Sequence, residues 1–315
     1  MTLALLCPGQ GAQHAGMFAL TGQHPAAQAI FEHAQLLLGH DPRTWVQTAS
    51  KDSLHANRTA QILCTLQPLA AAAALSDVIP ERYCAAGYSV GEVGAWHVAG
   101  MIDADKTLDL VASRAEGMDA AQRANPGLQG LLFVRGLNRR QVDEICASQQ
   151  VSIAIINPGD AWILGGMTEA LQRVSRLAVA SGATRVVPVD VRVASHTHLM
   201  EEGAATFERQ LEASAIIEPP RPGVRLFSGV DGEVVLSARD GKKKLSQQIS
   251  HTVQWSACLD ACIEAGATAF LELGPGRALT AMVSAAYPGT SARSLEDFHT
   301  LQGAREWIHR ATARN

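Results

Sequence analysis

The chain has 315 residues, of which 47% are hydrophobic and 18% charged, so it is long enough to bury a sizeable core. Its net charge of −4 excludes an electrostatic case for binding nucleic acid or an anionic membrane. No apolar run reaches the roughly 18 residues that span a bilayer, and the N-terminus lacks a basic signal-peptide segment, which together predict a cytoplasmic protein without a membrane partner.

The six cysteines form no Cys-x-x-Cys pair and mostly lie in apolar segments. We therefore expect buried free thiols in a reducing compartment rather than disulfides. A metal site is not expected, either at the cysteines or at the His196-x-His198 pair, because a third ligand is missing.

The first elements indicate a buried sheet and a helical layer. Residues 3–7 form an uninterrupted apolar run that ends at Pro8-Gly9, as a central strand does. Helices are predicted over residues 26–38 and 59–75, the second with a kink at Pro68.

Residues 83–96 contain the most informative pattern, Gly87-x-Ser89-x-Gly91, between an apolar stretch and a helix-compatible run. This is the pattern of a nucleophile elbow, in which a strand turns sharply through serine into a helix. The flanking glycines stand where two segments approach too closely for a Cβ. The amide of Val90 would then lie at the first turn of the helix, where it can stabilise an oxyanion. An ordinary turn is the alternative interpretation.

A helix capped by Asp103 is predicted to continue to Met118. After the break at Asn125-Pro126-Gly127, the pattern changes to short strands alternating with helices. Strands are predicted at residues 130–134, 151–156, 161–164 and 185–189, with helices at 138–149 and 168–181. This β-α-β-β-α-β order is that of a ferredoxin-like unit. The fold class is therefore α/β. It comprises an α/β-hydrolase-like large domain with a parallel sheet (residues 1–125 and 191–315) and an inserted ferredoxin-like subdomain (126–190).

The C-terminal part is predicted to return to the large domain. We expect a helix over residues 195–211, a solvated loop at Lys242-Lys243-Lys244, and a buried strand over 269–273 that turns at Gly274-Pro275-Gly276.

A nucleophilic serine needs a base within hydrogen-bond reach. Among eleven histidines, most lie in polar stretches that favour the surface, such as those around His24, His33, His40 and His55. His196 is the best candidate because it stands where the inserted unit returns the chain, facing the expected cleft. His198 is its local rival.

The chain resembles the malonyl-CoA:acyl carrier protein transacylases and related acyltransferase domains almost end to end. The matching motifs, in order, are Pro8-Gly9-Gln10-Gly11, Gln67-Pro68, Gly87-Tyr88-Ser89-Val90-Gly91-Glu92, Arg114 before Gly117-Met118, Asn157-Pro158 with Gly165, His196 with Leu199-Met200, Val253-Gln254-Trp255, and Glu272-Leu273-Gly274-Pro275-Gly276.

The resemblance implies roles for these positions. Ser89 attacks the thioester and His196 removes its proton, with the main-chain carbonyl of Gln254 orienting the imidazole. Backbone amides of Gln10 and Val90 form the oxyanion hole. The remaining implied roles are in substrate binding, with Arg114 gripping a malonyl carboxylate and Asn157 and Tyr88 lining the site. Without the resemblance, Arg114 would be interpreted as a solvated helix arginine.

The resemblance also implies that the substrate is malonyl-CoA, a coenzyme A thioester. The acceptor is a phosphopantetheine-type thiol on an acyl carrier protein, and no cofactor is permanently bound. Tyr88 departs from the family, which usually has histidine there. Its motif looks like that of the malonyltransferase (epsilon) subunit of malonate decarboxylase, so the carrier subunit of that enzyme is the favoured acceptor. Ser195, where malonyl-selective synthase domains often carry an aromatic residue, leaves room for an α-methyl group.

Three alternatives remain open at this point. A malonyl-CoA:acyl carrier protein transacylase of fatty-acid synthesis differs only in its acceptor. A serine hydrolase or esterase would place its base late in the chain, at His299 or His309. A non-catalytic carrier-docking subunit would not need the intact set of Ser89, His196 and Gln10.

Overall fold

A computed structural model describes residues 2–125, 127–218 and 220–313 and contains two sheets. The strands are β1 (Thr2–Cys7), β2 (Tyr83–Gly87), β3 (Gln129–Arg135), β4 (Ser152–Asn157), β5 (Ala161–Met167), β6 (Arg185–Val189), β7 (Val224–Leu226), β8 (Ala267–Glu272) and β9 (Ser291–Ser294). Pro126, at the predicted break, lies outside the described residues.

The helices surround these sheets and occur both before and after the second sheet in the chain. They are α1 (Gln28–Leu38), α2 (Pro42–Trp45), α3 (Lys51–Leu54), α4 (Asn57–Ala74), α5 (Gly91–Val98), α6 (Ala104–Ala124), α7 (Arg139–Gln149), α8 (Thr168–Ala180), α9 (Glu201–Glu212), α10 (Ala238–Gln247), α11 (Trp255–Glu264), α12 (Ala278–Ala286) and α13 (Leu301–Thr312). Within the described ranges, no helix is both long and apolar enough to cross a membrane.

The first sheet is parallel, with strand order β7-β2-β1-β8-β9. Its central strand β1 is apolar on both faces and buried from Leu3 to Cys7, as expected for a parallel strand covered by helices. Cys7 pairs with Gly87 at the carboxyl ends of β1 and β2. The loops that follow these two strands therefore meet at one edge of the sheet, where ligands of such sheets bind.

The second sheet is antiparallel, with strand order β4-β5-β3-β6, and its strands lie between residues 129 and 189. The predicted β-α-β-β-α-β sequence of elements is present there. Asn138 begins α7 with a capping box completed by Gln141. One face of this sheet has its own apolar core with α7 and α8, while Leu131, Ile155 and Ile163 pack into the core of the parallel-sheet part.

The structure corrects two predicted elements. Residues 195–197 are not helical, and α9 begins only at Glu201, because His196 has a φ of 63° that no right-handed helix accepts. The lysine triplet lies within α10 rather than in a loop. Lys244 contacts Asp231, Glu233 and Asp240, and these carboxylates raise its pKa.

Close packing between β1 and the elbow depends on Gly91. A Cβ at Gly91 would lie 2.1 Å from the carbonyl oxygen of Cys7 and 2.6 Å from that of Pro8. These oxygens belong to the main chain of a central strand and its exit, so they cannot move aside. At Gly94 on the same helix, the nearest atom would be a Thr65 methyl carbon at 3.7 Å, an ordinary contact.

We predict that Gly91→Ala lowers the free energy of unfolding by about 2–4 kcal/mol, because the new methyl group overlaps main-chain oxygens. The matched change Gly94→Ala should leave stability unchanged or raise it by about 0.5–1 kcal/mol, since alanine favours helix. Urea unfolding of both variants measures the difference. Equal stability of the two would contradict this account of the elbow.

Candidate active site

Ser89 is at the tip of a sharp turn between β2 and α5. Its φ of 55° is the left-handed conformation that a non-glycine residue adopts only under constraint. The Tyr88 amide donates to the Cys7 carbonyl at 2.9 Å, which fixes the turn to the end of β1. The predicted nucleophile elbow is therefore present in its local geometry.

His196 reaches Ser89 from the loop that leads back from the second sheet. Its Nε2 lies 2.7 Å from the Ser89 Oγ. The His196 amide donates to the Ile249 carbonyl at 2.8 Å, which helps to hold a second left-handed residue in place. His198, the local rival, is exposed. The serine–histidine pair predicted from the sequence is thus brought together.

The imidazole of His196 is oriented by Gln248 and not by Gln254. The His196 Nδ1–H donates to the main-chain carbonyl of Gln248 at 2.6 Å. The Gln254 carbonyl accepts the Cys258 amide at 3.1 Å in the first turn of α11, and among the described residues it accepts nothing from His196. Gln248 follows the last residue of α10, where helix carbonyls lack partners within the helix. The carbonyl that orients the base is therefore a C-terminal helix carbonyl that accepts from His196 instead of from a helix amide.

This hydrogen bond also assigns the tautomer of His196. A carbonyl oxygen only accepts, so Nδ1 carries the proton and Nε2 is left to accept the Ser89 hydroxyl proton. Burial lowers the pKa of His196 to about 3, with a further contribution from the positive charge of Arg114. The ring is consequently a neutral base at every ordinary pH.

The main-chain amides of Gln10 and Val90 are the candidates for an oxyanion hole. Among hydrogen bonds between described residues, none is donated by the amide of Gln10 or of Val90. Val90 stands at the N-terminus of α5, where the helix dipole adds partial positive charge. Gln10 lies in the loop after β1 and lines the same cavity as Ser89. The arrangement fits the predicted oxyanion hole.

Arg114 is buried on α6, with a side-chain exposure of 1%. Its Nη1 donates to the Gln61 Oε1 at 2.6 Å and to the Met118 Sδ at 3.2 Å, and its Nη2 to the Gln248 Oε1 at 3.3 Å. These acceptors are all neutral, and the guanidinium forms no ion pair within the part of the chain that the structure covers. Burial lowers the pKa of Arg114 to about 10. The interpretation as a solvated arginine is thus excluded.

Glu92 is a buried residue whose carboxylate interacts electrostatically with Arg114. Its Oε2 accepts the Gly229 amide at 3.0 Å and the Gln248 Nε2 at 2.5 Å. Burial raises the pKa of Glu92 to about 7, against the opposing effect of these two hydrogen bonds and the Arg114 charge. Glu92 thus interacts with Arg114 through space, and a glutamine side chain connects the two.

A cavity of about 250 Å³ opens onto Ser89 and His196. The second sheet forms one apolar wall, and α12 with the loop before it forms the other. The apolar side chains lining the cavity are Leu131, Ile155, Ile163, Val189, Val191, Leu279 and Met282. Ser195 also lines it.

Tyr88 and Asn157 lie behind the nucleophile. The Tyr88 ring packs edge-on against Trp255, with ring centroids 5.4 Å apart. Burial raises the pKa of the Tyr88 hydroxyl, with Asn157 beside it acting in the opposite direction. Asn157 is buried, and neither polar atom of its amide has a hydrogen-bond partner of ordinary length among the described residues. Among the described residues, a buried amide of this kind has hydrogen-bonding capacity left unused.

Sequence reasoning missed Gln248, Gln61 and a role for Glu92. Glu92 was visible within the Gly-x-Ser-x-Gly-Glu pattern, and a carboxylate one turn after a nucleophile could have been noted. Gln248 offered no local signal, because it follows a polar, lysine-rich segment and reaches the site only through tertiary packing.

Comparisons with known proteins agree with this geometry. The sequence model of the acyl transferase domain family matches residues 4–299. The malonyl CoA-acyl carrier protein transacylase of Escherichia coli (strain K12) is 28% identical over 313 residues, covering 96% of this chain and 98% of that protein. The structure of the Coxiella burnetii transacylase aligns with a TM-score of 0.91 at 26% identity, covering 99% and 98%. A malonyl-transacylase in complex with its type II polyketide acyl-carrier protein aligns with a TM-score of 0.88 at 28% identity, covering 97% and 99%.

The lowered pKa of His196 predicts that acylation of Ser89 keeps its rate as the pH falls well below 6.5. Arg114→Met removes the positive charge that disfavours the imidazolium. Protonation of His196 then becomes easier, and the acid limb of kcat/KM should move to higher pH. Acylation by p-nitrophenyl acetate, a neutral ester, measures both profiles. A wild-type kcat/KM that falls near pH 6.5, or an acid limb that does not move in Arg114→Met, would contradict the lowered pKa of His196.

Proposed function

The chain belongs to the acyl transferase domain family, and on that premise we propose that it moves a malonyl group from malonyl-CoA to the thiol of an acyl carrier protein. The single observation that carries the choice of malonyl is Arg114, a buried guanidinium with only neutral acceptors. A guanidinium in this state gains most from a planar carboxylate that accepts two hydrogen bonds. The free carboxylate of a malonyl thioester supplies that group.

The connection from Ser89 to Arg114 is short. The Gln248 carboxamide donates to the Ser89 carbonyl at 3.0 Å and accepts from the Arg114 Nη2 at 3.3 Å. One amide group and two hydrogen bonds therefore separate the nucleophilic residue from the guanidinium. A malonyl group on the Ser89 Oγ would carry its free carboxylate within the same cluster of buried polar groups.

In the first half-reaction, His196 Nε2 takes the Ser89 hydroxyl proton as Oγ attacks the thioester carbonyl. The developing oxyanion accepts hydrogen bonds from the amides of Gln10 and Val90. When the tetrahedral intermediate collapses, the carbon–sulfur bond breaks and the imidazolium returns its proton to the coenzyme A thiolate. The products are malonyl-Ser89 and free coenzyme A.

In the second half-reaction the same groups act in reverse order. His196 takes the proton of the incoming carrier thiol, and the thiolate attacks the ester carbonyl of malonyl-Ser89. Collapse breaks the bond to the Ser89 Oγ, which recovers its proton from His196. The carbonyl of Gln248 holds the imidazolium in both steps, although a carbonyl stabilises that cation less than the carboxylate of a Ser-His-Asp triad.

A phosphopantetheine carrier of fatty-acid or polyketide synthesis is the proposed acceptor. Relatives named as malonyl CoA-acyl carrier protein transacylases cover nearly the whole chain and support this choice. The carrier subunit of malonate decarboxylase is the second candidate. One specific feature favours it, the tyrosine at position 88 in place of histidine in the elbow motif.

The serine-hydrolase alternative required His299 or His309 as the base. His196 already occupies the position against the Ser89 Oγ. An enzyme built for hydrolysis also has no need of a buried arginine that, among the described residues, has neutral acceptors and no carboxylate partner. Transfer to a thiol therefore explains more of the site than hydrolysis does.

We also propose that residues 126–190 form an inserted ferredoxin-like subdomain on an α/β-hydrolase-like domain of residues 1–125 and 191–315. The order of elements and the strand order β4-β5-β3-β6 support the insertion. The strand–turn–helix at Ser89 supports the class of the larger domain.

Arg114→Ala is expected to lower kcat/KM for malonyl transfer to Ser89 by about a hundredfold or more, because the malonyl carboxylate loses its buried partner. Acetyl transfer from acetyl-CoA should be unchanged or faster. Intact-protein mass spectrometry of the acyl adduct measures the malonyl and acetyl reactions. Ser89→Ala is the blank that forms no adduct. Arg123→Ala, at an exposed arginine of the same helix, is the matched control. An unchanged malonyl-to-acetyl ratio would contradict the proposal.

The acceptor is identified by offering malonyl-Ser89 two carriers at equal concentration, a phosphopantetheine acyl carrier protein and the decarboxylase carrier subunit. We expect the phosphopantetheine carrier to be malonylated at least about tenfold faster, one decade being a difference of about 1.4 kcal/mol in transition-state binding. Faster transfer to the decarboxylase subunit would assign the chain to that enzyme. Release of malonate to water in preference to either carrier would support the hydrolase.

A further inference from the structure

The side chain of Gln248 lies at the centre of the buried polar groups of the site. Its Nε2 donates to the Ser89 carbonyl at 3.0 Å and to the Glu92 Oε2 at 2.5 Å. Its Oε1 accepts from the Arg114 Nη2 at 3.3 Å. The residue is 1% exposed, and its main-chain carbonyl separately orients His196. One glutamine therefore contacts the nucleophile's main chain, the base, a carboxylate and a guanidinium.

The orientation of this amide is determined by its neighbours. The Ser89 carbonyl and the Glu92 carboxylate offer acceptors, whereas Arg114 offers only donors. Rotating the amide by 180° would direct its NH₂ at a guanidinium and its oxygen at two acceptor groups. All three contacts would become repulsive, so the carboxamide has one acceptable orientation.

This orientation places a neutral amide between the Arg114 guanidinium and the Glu92 carboxyl group. Both residues are buried, and the ionised form of Glu92 attracts a guanidinium strongly in such a site. They make no direct ion pair in the described ranges, and each is bonded to the Gln248 amide instead. If Glu92 closed onto Arg114, the guanidinium would already be neutralised and would gain little from a substrate carboxylate.

We propose that the Gln248 side chain is a positioning residue for acyl selectivity, which holds Glu92 away from Arg114 and aligns the guanidinium with Ser89. The inference rests on the proposed malonyl transfer and adds a residue that determines it. Gln248 touches no reacting atom through its side chain. It acts by keeping Arg114 available for the carboxylate of the acyl group.

The two functions of Gln248 can be separated by substitution. Its carbonyl belongs to the main chain and remains whatever the side chain, so His196 keeps its acceptor. A change that affects only the side chain should lower malonyl transfer more than acetyl transfer, because only the malonyl group brings a carboxylate to Arg114. A merely structural role would slow all acyl groups alike.

Gln248→Glu puts a carboxylate of the same shape against Arg114. We expect the ratio of malonyl to acetyl kcat/KM to fall by about thirtyfold or more, because the new side chain occupies the guanidinium. Gln248→Met removes the spacer without adding charge, and the ratio should fall about tenfold as Glu92 moves towards Arg114. The matched control is Gln247→Glu, at a neighbouring side chain that makes no hydrogen bond among the described residues.

The experiment measures malonylation and acetylation of Ser89 from the two coenzyme A thioesters. It also measures acylation by p-nitrophenyl acetate, and thermal unfolding confirms that each variant is folded. Acylation by the neutral ester should fall less than malonylation does in each variant, because p-nitrophenyl acetate brings no carboxylate to Arg114. If Gln248→Glu does not fold, the uncharged Gln248→Met variant provides the same comparison.

Equal losses of malonyl, acetyl and ester reactions in a folded Gln248 variant would overturn the proposal and assign the side chain a structural role. So would an unchanged malonyl-to-acetyl ratio. A wild-type enzyme that acylates Ser89 from acetyl-CoA but not from malonyl-CoA would overturn the proposed function itself. The two failures are therefore distinguished by the wild-type measurement alone.

Discussion

Burying a guanidinium without a carboxylate partner costs free energy, and the interior around Arg114 only partly offsets that cost with neutral acceptors. The same positive charge has two effects on the chemistry. In the proposed function it favours a substrate that brings a carboxylate, and it also helps to lower the pKa of His196 so that the ring stays a neutral base. The proposal thus couples substrate selection and activation of Ser89 through one buried charge.

Two strained residues bring the reacting groups together. Ser89 and His196 both have positive φ, and each is held by main-chain hydrogen bonds to a different part of the chain. The elbow is fixed against β1, while His196 is fixed against residues 248–249 at the end of α10. The site is therefore assembled where the parallel sheet, the second sheet and α10 meet, and its geometry depends on all three.

Much of this arrangement could be predicted from local sequence. The apolar run of β1, the glycines around Ser89 and the alternating elements of residues 129–189 each carry a signal within about ten residues. His196 was identified because it stands where the chain returns from residues 126–190 to the large domain. Arg114 was assigned through family resemblance alone, since a helix arginine without other information is expected to be solvated. The structure adds that Arg114 is buried among neutral acceptors, which is what the proposed role rests on.

What could not be predicted depends on tertiary contacts. The loop conformation of His196 follows from a hydrogen bond to Ile249, and nothing in the adjacent sequence opposes a helix there. Gln254 precedes the first residue of α11, so its carbonyl accepts a hydrogen bond within that helix. Gln248 follows the last residue of α10, so its carbonyl is left to accept from His196. The most direct test of the account is a crystal structure of malonylated Ser89. The account predicts that both carboxylate oxygens of the acyl group lie about 2.8 Å from Arg114 nitrogens. A carboxylate turned to solvent, with Arg114 still bound to Gln61 and Gln248, would contradict the account.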